Sequence, residues 1–151
     1  MKTVSIAVIL IIVAACFAFS KTSTTELIIC ADGNGEVYTP TPVCRWYLSA
    51  FRTTPAGVVA VREASGIGFI LNGSSANRFD IAESFIEVGL DINESPSLTP
   101  LCNAIVLNQT DNVEFLLAHN AVIAHPACDA IALTQKTGKT KFEELLKKTA
   151  K

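Results

Sequence analysis

Few of the groups on which catalysis depends occur in this chain of 151 residues. It contains 2 His, no C-x-x-C pair and no Ser within a G-x-S-x-G turn, so the usual zinc, dithiol and nucleophile-elbow signatures are missing. Gly138-Lys139-Thr140 matches the end of a phosphate-binding loop, but Leu133 stands where that loop needs its first Gly. The tripeptide therefore reads as a turn between helices. Charge is sparse as well. Lys and Arg total 12 against 14 Asp and Glu, for a formal charge of −2, and no basic stripe gathers the cations. Nucleic acid binding, which rests on neutralising phosphates, has no electrostatic basis here. No uninterrupted apolar run reaches the roughly 20 residues of a spanning helix. No catalytic residue, cofactor or metal ligand is assigned.

What the chain does contain begins with Met1-Lys2 and an unbroken small or apolar run from Ser5 to Ala15. A charged start, a short apolar stretch and small residues behind it describe a secretory signal peptide, read over residues 1–20. Two endings compete. Val13-Ala14-Ala15-Cys16 resembles a bacterial lipobox, which would make Cys16 a lipidated first residue. Ala18-Phe19-Ser20 offers the small residues around a bulky one that ordinary signal peptidase prefers. Both endings export the chain, to the periplasm or to an outer-membrane lipoprotein, and both confine membrane contact to an N-terminal lipid or an uncleaved leader. Export places Cys30, Cys44, Cys102 and Cys128 where disulfides form. Sequence leaves their pairing open. Cys30 with Cys44 is favoured, because both lie in the least regular part of the chain and would close a short loop.

The clearest pattern is Thr99-Pro100-Leu101-Cys102-Asn103-Ala104, followed by Val113-Glu114-Phe115-Leu116-Leu117-Ala118-His119-Asn120-Ala121. The first part reads as a turn feeding a short helix. The second reads as a longer helix closed by Asn120, which tolerates a left-handed conformation. This text resembles an ankyrin repeat, T-P-L-H-x-A and then V-x-x-L-L-L-x-x-G-A, with Cys102 in place of His and Asn120 in place of Gly. A weaker copy lies upstream. Gly68 to Leu71 leads into Phe79 to Asn93, where Ile81, Phe85 and Ile86 form an apolar face and Gly89 marks the stop. Gly89-Leu90-Asp91-Ile92-Asn93 is similar to the family's closing G-A-D-V-N. A third copy runs from Asp129-Ala130-Ile131 through Gly138 to Phe142, Leu145 and Leu146. Lys and Glu crowd the rest of its long helix, as a terminal repeat needs.

The resemblance covers residues 67–148 and implies an all-α fold: an ankyrin-repeat helical solenoid of about three repeats over 66–151. Residues 21–65 read as an irregular N-terminal cap or degenerate first repeat. There, Glu26 to Cys30 reads as a short strand and Asp32 to Gly35 as a turn. Trp46, Tyr47, Leu48 and Phe51 read as a first helix, and Pro55 starts another that runs through Ala64.

Ankyrin repeats hold protein partners on a concave surface, built from the turn before each repeat and the outward side of its first helix. The resemblance therefore assigns Ser95, Pro96 and Leu98 from the turn and Asn103, Val106 and Leu107 from the helix. Ile67 in the copy above and His125 in the copy below extend the surface. Leu98, Val106 and Leu107 are apolar where a solvated face should be polar, and exposed apolar clusters mark interaction sites. His119 reads as a structural cation at a helix end. Exported chains with few ankyrin repeats resemble small immunity proteins that neutralise a toxic effector, such as a phospholipase delivered by a type VI secretion system. They also resemble periplasmic proteins linked to oxidative-stress defence. A short stack without reactive groups suits the first role better, because one dedicated inhibitory contact is all it must make. A retained leader would instead make the chain a membrane-anchored interaction protein. The expectation is an exported, non-catalytic protein-binding module.

Overall fold

The computed structural model describes residues 19–33, 39–94 and 98–149. Cys16, Ser95 and Pro96 lie outside them, as does the leader up to Ala18. Among the described residues the chain is mostly helical with very little strand, as an all-α fold requires, and no helix is long and apolar enough to cross a membrane.

Helix α1, Thr24–Asp32, occupies the place where a strand was expected. The cause is local. Ser23 Oγ accepts from Glu26 N at 3.2 Å, and Glu26 Oε2 accepts from Ser23 N at 2.8 Å, a reciprocal capping box that starts a helix. Donation to Oε2 from the Ser23 backbone first, and then from Ser23 Oγ at 2.9 Å, holds the Glu26 carboxyl below the ordinary carboxylate pKa. Gly33, at φ 84°, stops the helix in the left-handed conformation. Leu27, Ile28 and Ala31 fill the inward face, so the β-branched Ile28-Ile29 text is overridden by caps and periodicity. Helix α2, Thr41–Tyr47, runs without a break into a π turn at Leu48–Arg52. The favoured disulfide is present: Cys30–Cys44 joins α1 to α2. Helix α3, Pro55–Glu63, follows a Thr54 cap. The N-terminal part is thus a small helical layer rather than an irregular or β segment.

Three helix pairs follow. They are α4 (Ile67–Leu71) with α5 (Asn77–Glu87), α6 (Pro100–Val106) with α7 (Thr110–Ala118), and α8 (Ala130–Thr137) with α9 (Thr140–Thr149). First helices meet in the order α4, α6, α8, and α7 meets α9. Phe79 of α5 stacks on Phe115 of α7 at 5.1 Å. The first two pairs end alike. Leu90 N donates to Phe85 O after Gly89, and Ala121 N donates to Leu116 O after Asn120, both at 2.9 Å. Gly89 and Asn120 both take positive φ, so the residue tolerant of that conformation stands where the chain leaves each second helix. Between the layers, Phe85, Leu101, Ile105, Val113, Leu116, Phe142 and Leu146 are fully buried, each stabilising the fold by about 1.5–3 kcal/mol.

One buried carboxylate ties the N-terminal layer to the pairs. Asp32 accepts from Ser74 N at 2.9 Å, Ser75 N at 3.2 Å and Ser75 Oγ at 2.6 Å. It thereby satisfies the turn between α4 and α5. Gly73 makes room for it, since a Cβ there would lie 2.7 Å from Asp32 Cγ. Replacing Asp32 with Ala leaves these donors without their acceptor. The variant should lose about 2 kcal/mol of unfolding free energy, because three bonds to one buried charged acceptor go with it. Urea unfolding reads the loss, and a change below about 1 kcal/mol would mean that water serves the turn equally well.

Candidate partner-binding surface

A hairpin projects between the second and third pairs. Strands β1, Ala124–His125, and β2, Cys128–Asp129, pair antiparallel with Ala124 opposite Asp129 and His125 opposite Cys128. Pro126 and Ala127 form the tip, where Ala127 N donates to His125 Nδ1 at 3.1 Å. Two residues per strand cannot hold such a ribbon alone. Covalent and polar ties do so. Cys128 is bonded to Cys102, which is fully buried on α6, so β2 is fixed to the first helix of the preceding pair. Val122 N donates to Asn93 Oδ1 at 2.7 Å, joining the hairpin's foot to the turn after α5. Asp129 accepts from Ile131 N and Ala132 N, capping α8 and fixing the exit.

The residues assigned to the surface do not all belong to it. Ile67 is fully buried and is core. Ile67, Ile70 and Leu71 repeat the inward i, i+3, i+4 spacing of Leu101, Ala104 and Ile105, so the register taken for the upper copy was displaced. Leu98 is half-buried and packs on the core. Asn103, next to Cys102, is half-buried on α6, and His125 is half-buried on β1. These three stand at the hairpin end or next to it. Val106 and Leu107 are about half exposed, at 47 % and 52 %, but they occupy the far end of α6. There Lys139 Nζ donates to Ile105 O at 2.6 Å and Val106 O at 2.9 Å. Asn103 stands one turn away from them on the same helix face, at i, i+3 and i+4 spacing, whereas Leu98 precedes the helix.

His119 is a packing residue. Its Nδ1 lies 2.9 Å from Phe115 O, and its ring sits 4.2 Å from that of Phe115. A second exposed surface was missed. Trp46 and Phe51 stand out from α2 and the π turn at 60 % and 52 % exposure, although sequence grouped them with buried Tyr47 and Leu48. The clue was available in principle, since Trp46 and Tyr47 are neighbours and cannot both face one core. Beside Trp46 lies an open cavity of about 260 Å³, lined also by Arg45, Ser49, Asp80 and Ser84. Its one cation is engaged, Arg45 donating to Asn77 Oδ1 at 2.7 Å and to Asp80 Oδ2 at 3.1 Å. No cluster of His, Cys, Asp and Glu able to hold a metal occurs among the described residues. No family model, curated protein or solved structure matches the chain.

Proposed function

We propose that residues 66–151 are an ankyrin-type stack that binds a folded protein partner and performs no chemistry of its own. The observation that carries this reading is the hairpin pinned by Cys102–Cys128. Holding a projecting turn in one conformation before contact removes part of the ordering cost of association. The contact surface is then the hairpin tip, His125, Asn103 and the exposed side of Leu98. A toxic effector fits as partner, with a secreted phospholipase as the favoured case. Two disulfides suit an oxidising compartment such as the periplasm. Phe19 stacks on Tyr47 at 4.9 Å, and Arg52 donates to the carbonyls of Phe19, Ser20 and Thr22. Cleavage after Ser20 would remove Phe19 from that contact, which favours a lipoprotein beginning at Cys16 or a retained leader.

The test is calorimetric titration against a secreted phospholipase, taken from the neighbouring reading frame where that frame encodes one, with hydrolysis followed in parallel. Wild type should bind below about 1 µM and abolish hydrolysis. A variant carrying Asn103→Arg and His125→Glu should bind at least about 30-fold more weakly while retaining its helical signal, as central contacts dominate an interface. Undiminished affinity in that folded variant would move the contact elsewhere on the stack. Hydrolysis unaffected by excess wild-type chain would sink the neutralising role.

A further inference from the structure

We propose that the aromatic face of α2 and the π turn, carried by Val43, Trp46 and Phe51, seats on the surface of a lipid bilayer. Among the described residues Trp46 is the most exposed large apolar side chain. Val43 and Trp46 share one helix face, being three residues apart. The π turn supplies the rest. Thr53 N donates to Leu48 O, five residues back, and the widened turn carries Phe51 alongside Trp46, with ring centroids 5.7 Å apart. Turns of this kind are uncommon and cluster at functional positions.

The rings continue from this face to the start of the described chain. Phe51 packs on Tyr47 at 4.9 Å, and Tyr47 on Phe19 at 4.9 Å. Phe19 is preceded directly by the uninterrupted apolar text from Ile6 to Ala18. A bilayer that took up that stretch, or a lipid on Cys16, would bring the aromatic face beside it. Trp46 suits that position, because a Trp ring settles at the headgroup level. Area argues the same way. Three partly exposed side chains offer roughly 300 Å², against about 800 Å² per partner in a stable protein interface. That is too little for a partner or a second copy, yet enough for an auxiliary contact in a chain already tethered. This surface is separate from the hairpin and does not depend on the partner-binding reading.

Trp46 is the 1 Trp of the chain, so its fluorescence reports this face alone. The full chain, Met1 to Lys151, is reconstituted from detergent into vesicles of phosphatidylethanolamine and phosphatidylglycerol and collected by flotation. Trp46 emission should shift to the blue and its quenching by acrylamide should fall about three-fold, with stronger quenching by lipids brominated near the headgroup than by deeply brominated ones. A Val43→Ser, Phe51→Ser variant should still float but regain most of the acrylamide quenching. The proposal is overturned by a chain that does not float, or by one that floats with Trp46 as accessible as in solution. Shielding before vesicles are added also overturns it: concentration dependence would assign the face to a second copy, and its absence to the apolar residues upstream of Phe19.

Discussion

Reducing both disulfides should lower the unfolding free energy by about 6.5 kcal/mol, by the chain-entropy relation for loops of these lengths. Cys30–Cys44 spans a separation of 14 and Cys102–Cys128 one of 26, so the second contributes slightly more. Against a total of about 5–15 kcal/mol for a domain, the reduced chain keeps little margin. Urea unfolding with and without dithiothreitol measures the sum. The separate Cys→Ala pairs then divide it. Loss of Cys30–Cys44 should loosen α1 from α2, while α6 to α9 keep their packing. Loss of Cys102–Cys128 should cost about 3.5 kcal/mol and also release the hairpin, seen as faster amide exchange at Ala127 and Ala130, whose N–H groups bond to His125 Nδ1 and Ile123 O. Equal protection of those amides without the bond would show that Asn93, Asp129 and the two-residue ladder suffice. The rigidity invoked for partner binding would then owe nothing to the cysteines.

What was legible in the sequence was what is locally encoded. Thr99-Pro100 starts α6, with the Thr99 side chain accepting from Cys102 N. Asn120 leaves α7 at φ 63°. Both are single-residue signals with a backbone cause. The Ser23–Glu26 box is equally local and was readable, but the β-branched Ile28-Ile29 pair drew the segment toward a strand. What was not legible depends on distant partners. Nothing near Cys128 says that its turn folds back over α6, so its pairing with Cys102 stayed open. The Asp32 latch joins residues more than 40 positions apart and leaves no periodicity. For the surface, apolar Val106 and Leu107 could be recognised as exposed. Their separation from Leu98 and His125 follows from where α6 ends, which sequence fixes only to within a few residues. Phe51 escaped because a π turn has no established sequence signature and an α-helical register places it elsewhere, whereas Trp46 was readable from its neighbour Tyr47, which takes the inward face.

Gly57→Ala is expected to destabilise the protein by about 3 kcal/mol, where helix propensity alone would favour Ala by about 1 kcal/mol. Gly57 lies in the first turn of α3, where its N–H donates to Thr54 Oγ1 at 3.2 Å. An added Cβ would fall 1.9 Å from Arg52 O and 3.3 Å from Phe85 Cε1. Neither neighbour yields readily. Arg52 O is backbone, sits at the end of the π turn and accepts from Thr54 N at 2.9 Å. Phe85 is fully buried. A methyl group must therefore drive α3 away from the π turn and from α5 together, loosening the N-terminal layer from the helix pairs. Gly68 supplies the opposing case. It too is helical, within α4, but a Cβ there meets nothing within 4 Å. Gly68→Ala should therefore raise stability by about 0.5–1 kcal/mol, through lower backbone entropy in the unfolded chain. Urea midpoints of the two variants should move in opposite directions. If both rise, propensity governs both sites and the close seating of α3 against Arg52 and Phe85 is not a real constraint. If Gly57→Ala falls and Gly68→Ala rises, the approach of α3 to the π turn is fixed by the absence of one side chain.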